Sequence, residues 1–141
     1  MANTATLPHY GNYIDGAIVP PASGEYFPTE NPYTGEAWAM IARGNKDDVQ
    51  AAVAAAHRAF EKGAWPEMTA SERGRLLWRL GDLIIANAQH LADIEMRDNG
   101  KLASEVVAQV RYMGQYFQYY AGLADKVQSQ VIPTDKKGVF C

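Results

Sequence analysis

The spacing of apolar and polar residues changes near Gly44. Before this point, short apolar runs are separated by residues that favour turns, a pattern typical of β-strands. After it, apolar residues recur three and four positions apart, which is the period of an α-helix. The sequence therefore predicts a mixed α/β fold, with strands to about residue 44, then four helices, then further strands at the end.

The first region contains a strong hairpin signal. Asn12–Ile14 and Ala17–Val19 are short apolar segments on either side of Asp15 and Gly16. An Asp-Gly pair is favoured in two-residue hairpin turns, because those turns need positive φ angles. The rest of the region carries three weaker predictions: an extended segment from Tyr26, a turn over residues 31–35 and a strand over residues 37–42.

The first two helices are predicted from their caps. Asn45 with Asp48, and Thr69 with Glu72, have the spacing at which a capping residue and a side chain one turn later exchange hydrogen bonds. Gly63 is predicted to end the first helix. The predicted inward faces are Val49, Ala52, Val53, Ala56 and Phe60 in the first helix, and Leu76, Leu77, Leu80, Leu83 and Ile84 in the second.

Two more helices are predicted over about residues 87–98 and 104–128. The third has Leu91 and Ile94 inward and ends at Gly100. Residues 131–133 and 139–141 are then apolar and predict strands on either side of a polar turn. The fourth helix carries a core stripe of Val106, Val110, Met113, Phe117, Ala121 and Ala124, and an aromatic stripe of Ala108, Tyr112, Tyr116 and Tyr119.

Charge and composition exclude several classes of function. The net charge is −3 and the acidic and basic residues are mixed along the chain, so we expect no nucleic-acid partner. Cys141 is the one cysteine, which rules out an intramolecular disulfide. The first residues lack a signal-peptide pattern, and no apolar run approaches the roughly 20 residues of a membrane span. We therefore expect a cytoplasmic protein without a membrane partner.

Most sequence motifs for catalysis are absent. No two glycines lie two positions apart, so the chain has no glycine-rich dinucleotide fingerprint. His9, His57 and His90 are far apart and lack the spacing of metal ligands. Cys141 is interpreted as an ordinary strand cysteine, not as a nucleophile.

Six segments, in order, resemble the N-terminal region of the aldehyde dehydrogenase superfamily. Each segment alone is weak evidence for the family. The resemblance rests on all six segments occurring in the family's order. Two positions depart from the usual family pattern, since Leu123 stands where a tryptophan is common and Leu102 where a proline is common. The six segments are Asn12–Gly16, Phe27–Glu36, Asp48–Phe60, Trp65 with Glu72–Leu77, Asp98–Lys101 and Tyr119–Lys126.

The resemblance implies an aldehyde-dehydrogenase-like fold and an oxidoreductase that converts an aldehyde to a carboxylic acid with NAD or NADP. In this family a cysteine thiolate attacks the aldehyde, and preorganised hydrogen-bond donors hold the oxyanion. The resemblance places those residues, and the cofactor site, beyond Cys141, so we expect these residues alone to be inactive. Residues 1–128 would belong to the cofactor-binding domain and 129–141 to bridging strands of a homo-oligomer.

The resemblance also implies a monovalent cation near the second segment. The corresponding ligands are Thr29, the backbone carbonyl of Glu30 and Asp98. Oxygen ligands suit such a hard cation. The alternative interpretation is that Asp98 only caps its local turn.

The fourth helix borders the aldehyde entrance tunnel in the family. The corresponding positions are Ala108 and Tyr112, where a tyrosine offers an apolar ring and a polar hydroxyl. For Tyr116 and Tyr119 we expect instead a partly buried aromatic face that the rest of the enzyme covers. The alternative function is a non-enzymatic helical module that binds another protein or drives oligomerisation.

Overall fold

The computed structural model describes residues 7–127 and 134–139, which form two compact units. The first unit contains residues up to Gly63 together with Arg97–Gly100. The second contains Ala64–Met96 and the described residues from Lys101 onward. The structure therefore confirms the mixed α/β class, with the strands in the first unit and most of the helices in the second.

The described residues of the first unit contain five strands in two small sheets. They are β1 (His9–Tyr10), β2 (Asn12–Ile14), β3 (Ala17–Val19), β4 (Tyr26–Asn31) and β5 (Glu36–Ala42). One sheet has the order β1-β5-β4, with β1 parallel and β4 antiparallel to β5. The other is the antiparallel β2–β3 hairpin. The sequence did not predict β1, because two residues are too short to show a period.

Both predicted turns of the first unit are confirmed. The β2–β3 turn has positive φ angles of 54° at Asp15 and 80° at Gly16, as its Asp-Gly sequence requires. The turn between β4 and β5 is closed by a hydrogen bond of 2.8 Å from the Gly35 amide to the Asn31 carbonyl. Gly35 also has a positive φ, which a residue without a side chain adopts at little cost.

The first helix, α1, spans Lys46–Lys62 and has the predicted cap. The Asn45 side chain accepts from the Asp48 amide, and the Asp48 carboxylate accepts from the Asn45 amide. Gly63 is the C-cap, as predicted. The predicted inward face is wrong for this chain, because Val49, Val53 and Phe60 are all exposed. The buried residues of α1 are instead Asp48 and Ala55.

The remaining helices are α2 (Ala64–Glu67), α3 (Ala70–Ala86), α4 (Ala88–Asn99) and α5 (Ala103–Leu123). The predicted Thr69 cap of α3 is confirmed, with the Thr69 hydroxyl and the Glu72 carboxylate exchanging hydrogen bonds. The short α2 was not predicted. Helix α5 ends several residues before the predicted boundary.

Small residues make up much of the core of the second unit. Ala88 and Ala92 of α4 pack with Val106 and Val110 of α5. Helices α3 and α5 pack against each other, with Gly81 facing Gly114. The larger residues predicted to be buried are in part exposed, because the described residues of this unit leave one side of α3 and of α5 uncovered. These exposed residues are Leu76, Leu80, Leu83 and Met113.

Residues 134–139 form a turn in the second unit. The Thr134 hydroxyl donates to the Val139 carbonyl at 2.9 Å, and Lys137 pairs with Glu67 at 3.2 Å. The strands predicted over residues 131–133 and 139–141 fall almost wholly outside the described residues, and so does Cys141. In the part of the chain that the structure describes, no helix has the length and apolar character of a membrane span.

Candidate functional site

Thr29 and Asp98, two of the predicted cation ligands, are in direct contact. The Thr29 hydroxyl donates a hydrogen bond of 2.7 Å to the Asp98 carboxylate, although 69 residues separate the two along the chain. Both residues belong to the first unit. The pairing of β4 with β5 is irregular at this point, since Thr29 pairs with Ala39 and Glu30 pairs with Ala37. Such a bulge changes the direction in which neighbouring groups point.

Asp98 lies in the last turn of α4, which ends at Asn99. Gly100 follows with a φ of 74°. A Cβ atom at Gly100 would lie 2.9 Å from Cγ of Pro32, so the chain after α4 packs closely against the turn that follows β4. Strand β4 is therefore joined to the end of α4 at the Thr29–Asp98 contact, and the turn after β4 packs against Gly100.

The Thr29–Asp98 contact brings a hydroxyl and a carboxylate together beside the C-terminal end of α4. The C-terminal end of a helix carries a partial negative charge from carbonyl groups that have no partner within the helix. The Asp98 carboxylate adds a full negative charge there, and the Thr29 oxygen keeps lone pairs after donating its hydrogen. No cluster of three or more His, Cys, Asp or Glu side chains suitable for a metal ion occurs within residues 7–127 and 134–139.

The predicted tunnel residues lie one turn apart on α5, in the second unit. Ala108 and Tyr112 are both exposed, with 66% of Tyr112 accessible.

Tyr116 and Tyr119 of the predicted aromatic stripe both contact Tyr120, which was not predicted to belong to it. The hydroxyls of Tyr116 and Tyr120 are 3.2 Å apart and their rings are 4.7 Å apart. Tyr119 meets Tyr120 edge to face at 5.3 Å. The hydrogen bond with Tyr116 raises the pKa of Tyr120. The four-residue spacing of Tyr116 and Tyr120 was the available signal, because side chains four apart on a helix are neighbours.

Comparison with known proteins identifies the family. The sequence model of the aldehyde dehydrogenase family matches residues 18–141, which is most of the chain. The chain belongs to the aldehyde dehydrogenase family. The resemblance drawn from the six sequence segments is confirmed.

Curated relatives include several enzymes of this family. A (Z)-2-((N-methylformamido)methylene)-5-hydroxybutyrolactone dehydrogenase of Acinetobacter baylyi is 44% identical over 89% of this chain and 24% of its own length. A mitochondrial aldehyde dehydrogenase of Rattus norvegicus is 46% identical over 80% of this chain and 22% of its own length. This aldehyde dehydrogenase chain therefore spans about a quarter of the length of the relatives it matches.

Solved structures share the fold. An NAD-dependent aldehyde dehydrogenase from Sinorhizobium meliloti matches 93% of this chain and 26% of its own, with a TM-score of 0.80 and 32% identity. A betaine aldehyde dehydrogenase from Staphylococcus aureus, solved with NAD+ and a BME-modified cysteine, matches 96% of this chain and 27% of its own, with a TM-score of 0.82 and 34% identity. The aldehyde-dehydrogenase-like fold is thereby established for this chain.

Proposed function

We propose that this chain forms the N-terminal region of an enzyme that oxidises an aldehyde to a carboxylic acid. The observation that carries the proposal is the family match over residues 18–141. The match favours an enzyme over the alternative of a non-enzymatic helical module. In the proposed reaction a cysteine thiolate adds to the aldehyde, hydride passes to the cofactor, and water releases the acid.

The proposed cofactor is NAD or NADP. Support comes from related structures solved with NAD+. The chain has no glycine pair of the dinucleotide-binding type, so we assign none of its residues to the cofactor. We also propose that the enzyme is a cytoplasmic homo-oligomer with residues 1–128 in its cofactor-binding domain and 129–141 in bridging strands. Family resemblance supports this assembly, although some relatives are mitochondrial enzymes.

An activity assay tests the proposal. The complete enzyme, incubated with NAD or NADP and a panel of aliphatic and aromatic aldehydes, should produce the reduced cofactor and the corresponding acid in equal amounts. The 141 residues alone should give no turnover. In the complete enzyme, Cys141→Ser should leave the rate of cofactor reduction unchanged. A folded complete enzyme that reduces neither cofactor with any aldehyde would contradict the proposed function.

We further propose a monovalent cation site formed by the Thr29 hydroxyl, the Glu30 carbonyl and the Asp98 carboxylate. The 2.7 Å contact between Thr29 and Asp98 supports it, as does the position of Asp98 at a helix C-terminus. In this position a cation would neutralise the carboxylate and the helix-end carbonyls together. Its role would be to stabilise the contact between β4 and the end of α4, without taking part in the reaction.

We propose that Tyr112 and Ala108 line the entrance for the aldehyde. Their exposure on one face of α5 supports this. In the complete enzyme, Tyr112→Ala should widen the entrance and lower KM for bulky aldehydes relative to acetaldehyde, by up to about tenfold. Tyr116→Ala is the matched control, because Tyr116 is assigned to the aromatic cluster and not to the entrance. An equal change in the KM ratio for both variants would contradict the assignment of Tyr112.

A further inference from the structure

The β2–β3 hairpin receives little support from side-chain packing. It forms a two-stranded sheet of its own, and isolated hairpins of this size are marginally stable in water. Its largest side chains, Tyr13 and Ile18, are 74% and 76% exposed. Among the described residues, the hairpin is therefore connected to α1 largely through polar contacts.

The open end of the hairpin is anchored by a buried carboxylate. Asp48, in the first turn of α1, is only 8% exposed. One of its oxygens accepts hydrogen bonds from the Asn12 side chain at 3.1 Å and from the Ala22 amide at 2.9 Å. Its other oxygen accepts from the Asn45 amide at 2.8 Å. Because Asn12 begins β2 and Ala22 follows β3, one carboxylate fixes both chain segments at this end.

The turn end of the hairpin is held by a different kind of contact. Asp15, in the turn, forms an ion pair of 3.0 Å with Arg58 of α1. Both side chains are well exposed to solvent. Arg58 lies ten residues after Asp48, which is about 15 Å along a helix axis. The two contacts are therefore at opposite ends of the hairpin.

Between these two contacts the hairpin and α1 are separated by a groove. It has a volume of about 330 Å³. On the hairpin side it is lined by residues 13–16, and on the helix side by four alanines: Ala52, Ala55, Ala56 and Ala59. Because alanine side chains are short, no large apolar contact fills the space beneath the turn.

We propose that the hairpin is a flap that opens at its Asp15–Gly16 turn while its open end stays anchored at Asp48, and that ionic strength controls this opening. Salt screens exposed ion pairs strongly and buried hydrogen bonds weakly. Opening would expose Ala55, the one buried alanine among the four that line the groove. The inference does not depend on the proposed function, because it rests on contacts within the first unit.

Hydrogen exchange of the protein, read by mass spectrometry, tests the turn end. Exchange over residues 13–18 should be about two- to fivefold faster near 0.5 M salt than at low salt. Arg58→Gln should exchange fast at low salt and lose the salt dependence. Arg75→Gln, a charge-matched control on α3, should behave like the wild type. A salt dependence that persists in Arg58→Gln would overturn the proposal.

A second variant tests the anchored end. Asn12→Ala removes one hydrogen bond to Asp48 and leaves the Arg58–Asp15 pair intact. It should accelerate exchange across residues 12–19 together, by a similar factor at low and high salt. The proposal is also overturned if Asn12→Ala and Arg58→Gln accelerate the same residues with the same salt dependence, because the hairpin would then open as one piece.

Discussion

The two units of the chain are stabilised in different ways. In the first unit, polar side chains connect elements that are far apart in sequence, as Asp48 does with Asn12 and Ala22. In the second unit, backbones pack directly, as α3 and α5 do at Gly81 and Gly114. Short strands with exposed side chains have little apolar area to bury, so their positions depend on directed polar contacts. Long helices obtain their contact area from close approach, which requires small residues.

The largest effect should follow a change in the helix contact of the second unit. A Cβ atom at Gly81 would lie 2.6 Å from the Gly114 carbonyl oxygen, closer than two such atoms can approach. Gly81→Ala must therefore separate α3 from α5, and we expect a loss of about 1–3 kcal/mol in the free energy of unfolding. Denaturant titration followed by circular dichroism measures this loss.

Gly122→Ala is the matched control on α5. A Cβ atom there would meet nothing within 4 Å among the described atoms, so only helix propensity should change. Alanine is favoured over glycine in a helix, and we expect a gain of up to about 1 kcal/mol. If Gly81→Ala also raises the free energy of unfolding, the close contact between Gly81 and Gly114 does not stabilise the second unit.

The next effect concerns Asp48 in the first unit. The Asn45 amide, the Ala22 amide and the Asn12 side chain lower the pKa of Asp48 below its ordinary value of 3.8. A carboxyl group with a lowered pKa stabilises the folded state fully above its ordinary pKa, and this stabilisation is lost as pH falls through the folded-state value. Asp48→Asn should therefore lower Tm at neutral pH and make stability less dependent on pH below about 4.

Asp47→Asn is the control for this prediction. Asp47 is the exposed neighbour of Asp48 in the first turn of α1, so both substitutions remove one charge near the same helix end. Thermal unfolding across an acidic pH series should show a clearly smaller change for Asp47→Asn. Equal changes for the two variants would mean that helix-end charge, and not the buried hydrogen bonds, explains the effect of Asp48.

The sequence predicts the helices and strands of this chain better than it predicts which of their faces are buried and which distant residues they contact. Asn45 and Thr69 marked helix starts correctly because capping is a local interaction between residues three apart. The inward face of α1 was wrong because periodicity shows which face is apolar, not whether the chain itself supplies a cover for that face. The long-range role of Asp48 was missed because its partners lie 26 and 36 residues away and carry no common motif.

The candidate site also depends on a contact between residues far apart in sequence, which local patterns do not predict. No spacing rule connects Thr29 with Asp98 across 69 residues, and the pair was predicted through family resemblance alone. The tyrosine contact of Tyr116 with Tyr120 had a local signal, since the two residues are four apart on a helix. Identifying a site from residues distant in sequence thus required the fold or a related protein.

The smallest expected effect concerns the proposed cation site. It is also the most direct test, because Thr29 and Asp98 were predicted from the family resemblance and are in contact in the fold. Tm of the complete enzyme is measured across a potassium titration for wild type and Asp98→Asn, with ionic strength held constant by a large organic cation. Asparagine preserves the shape of Asp98 and its capacity to cap a turn, but removes the charge. We predict that potassium raises Tm of the wild type by about 2 °C and of the variant by clearly less. Equal slopes for the two proteins would contradict the cation site and leave Asp98 with a purely structural role.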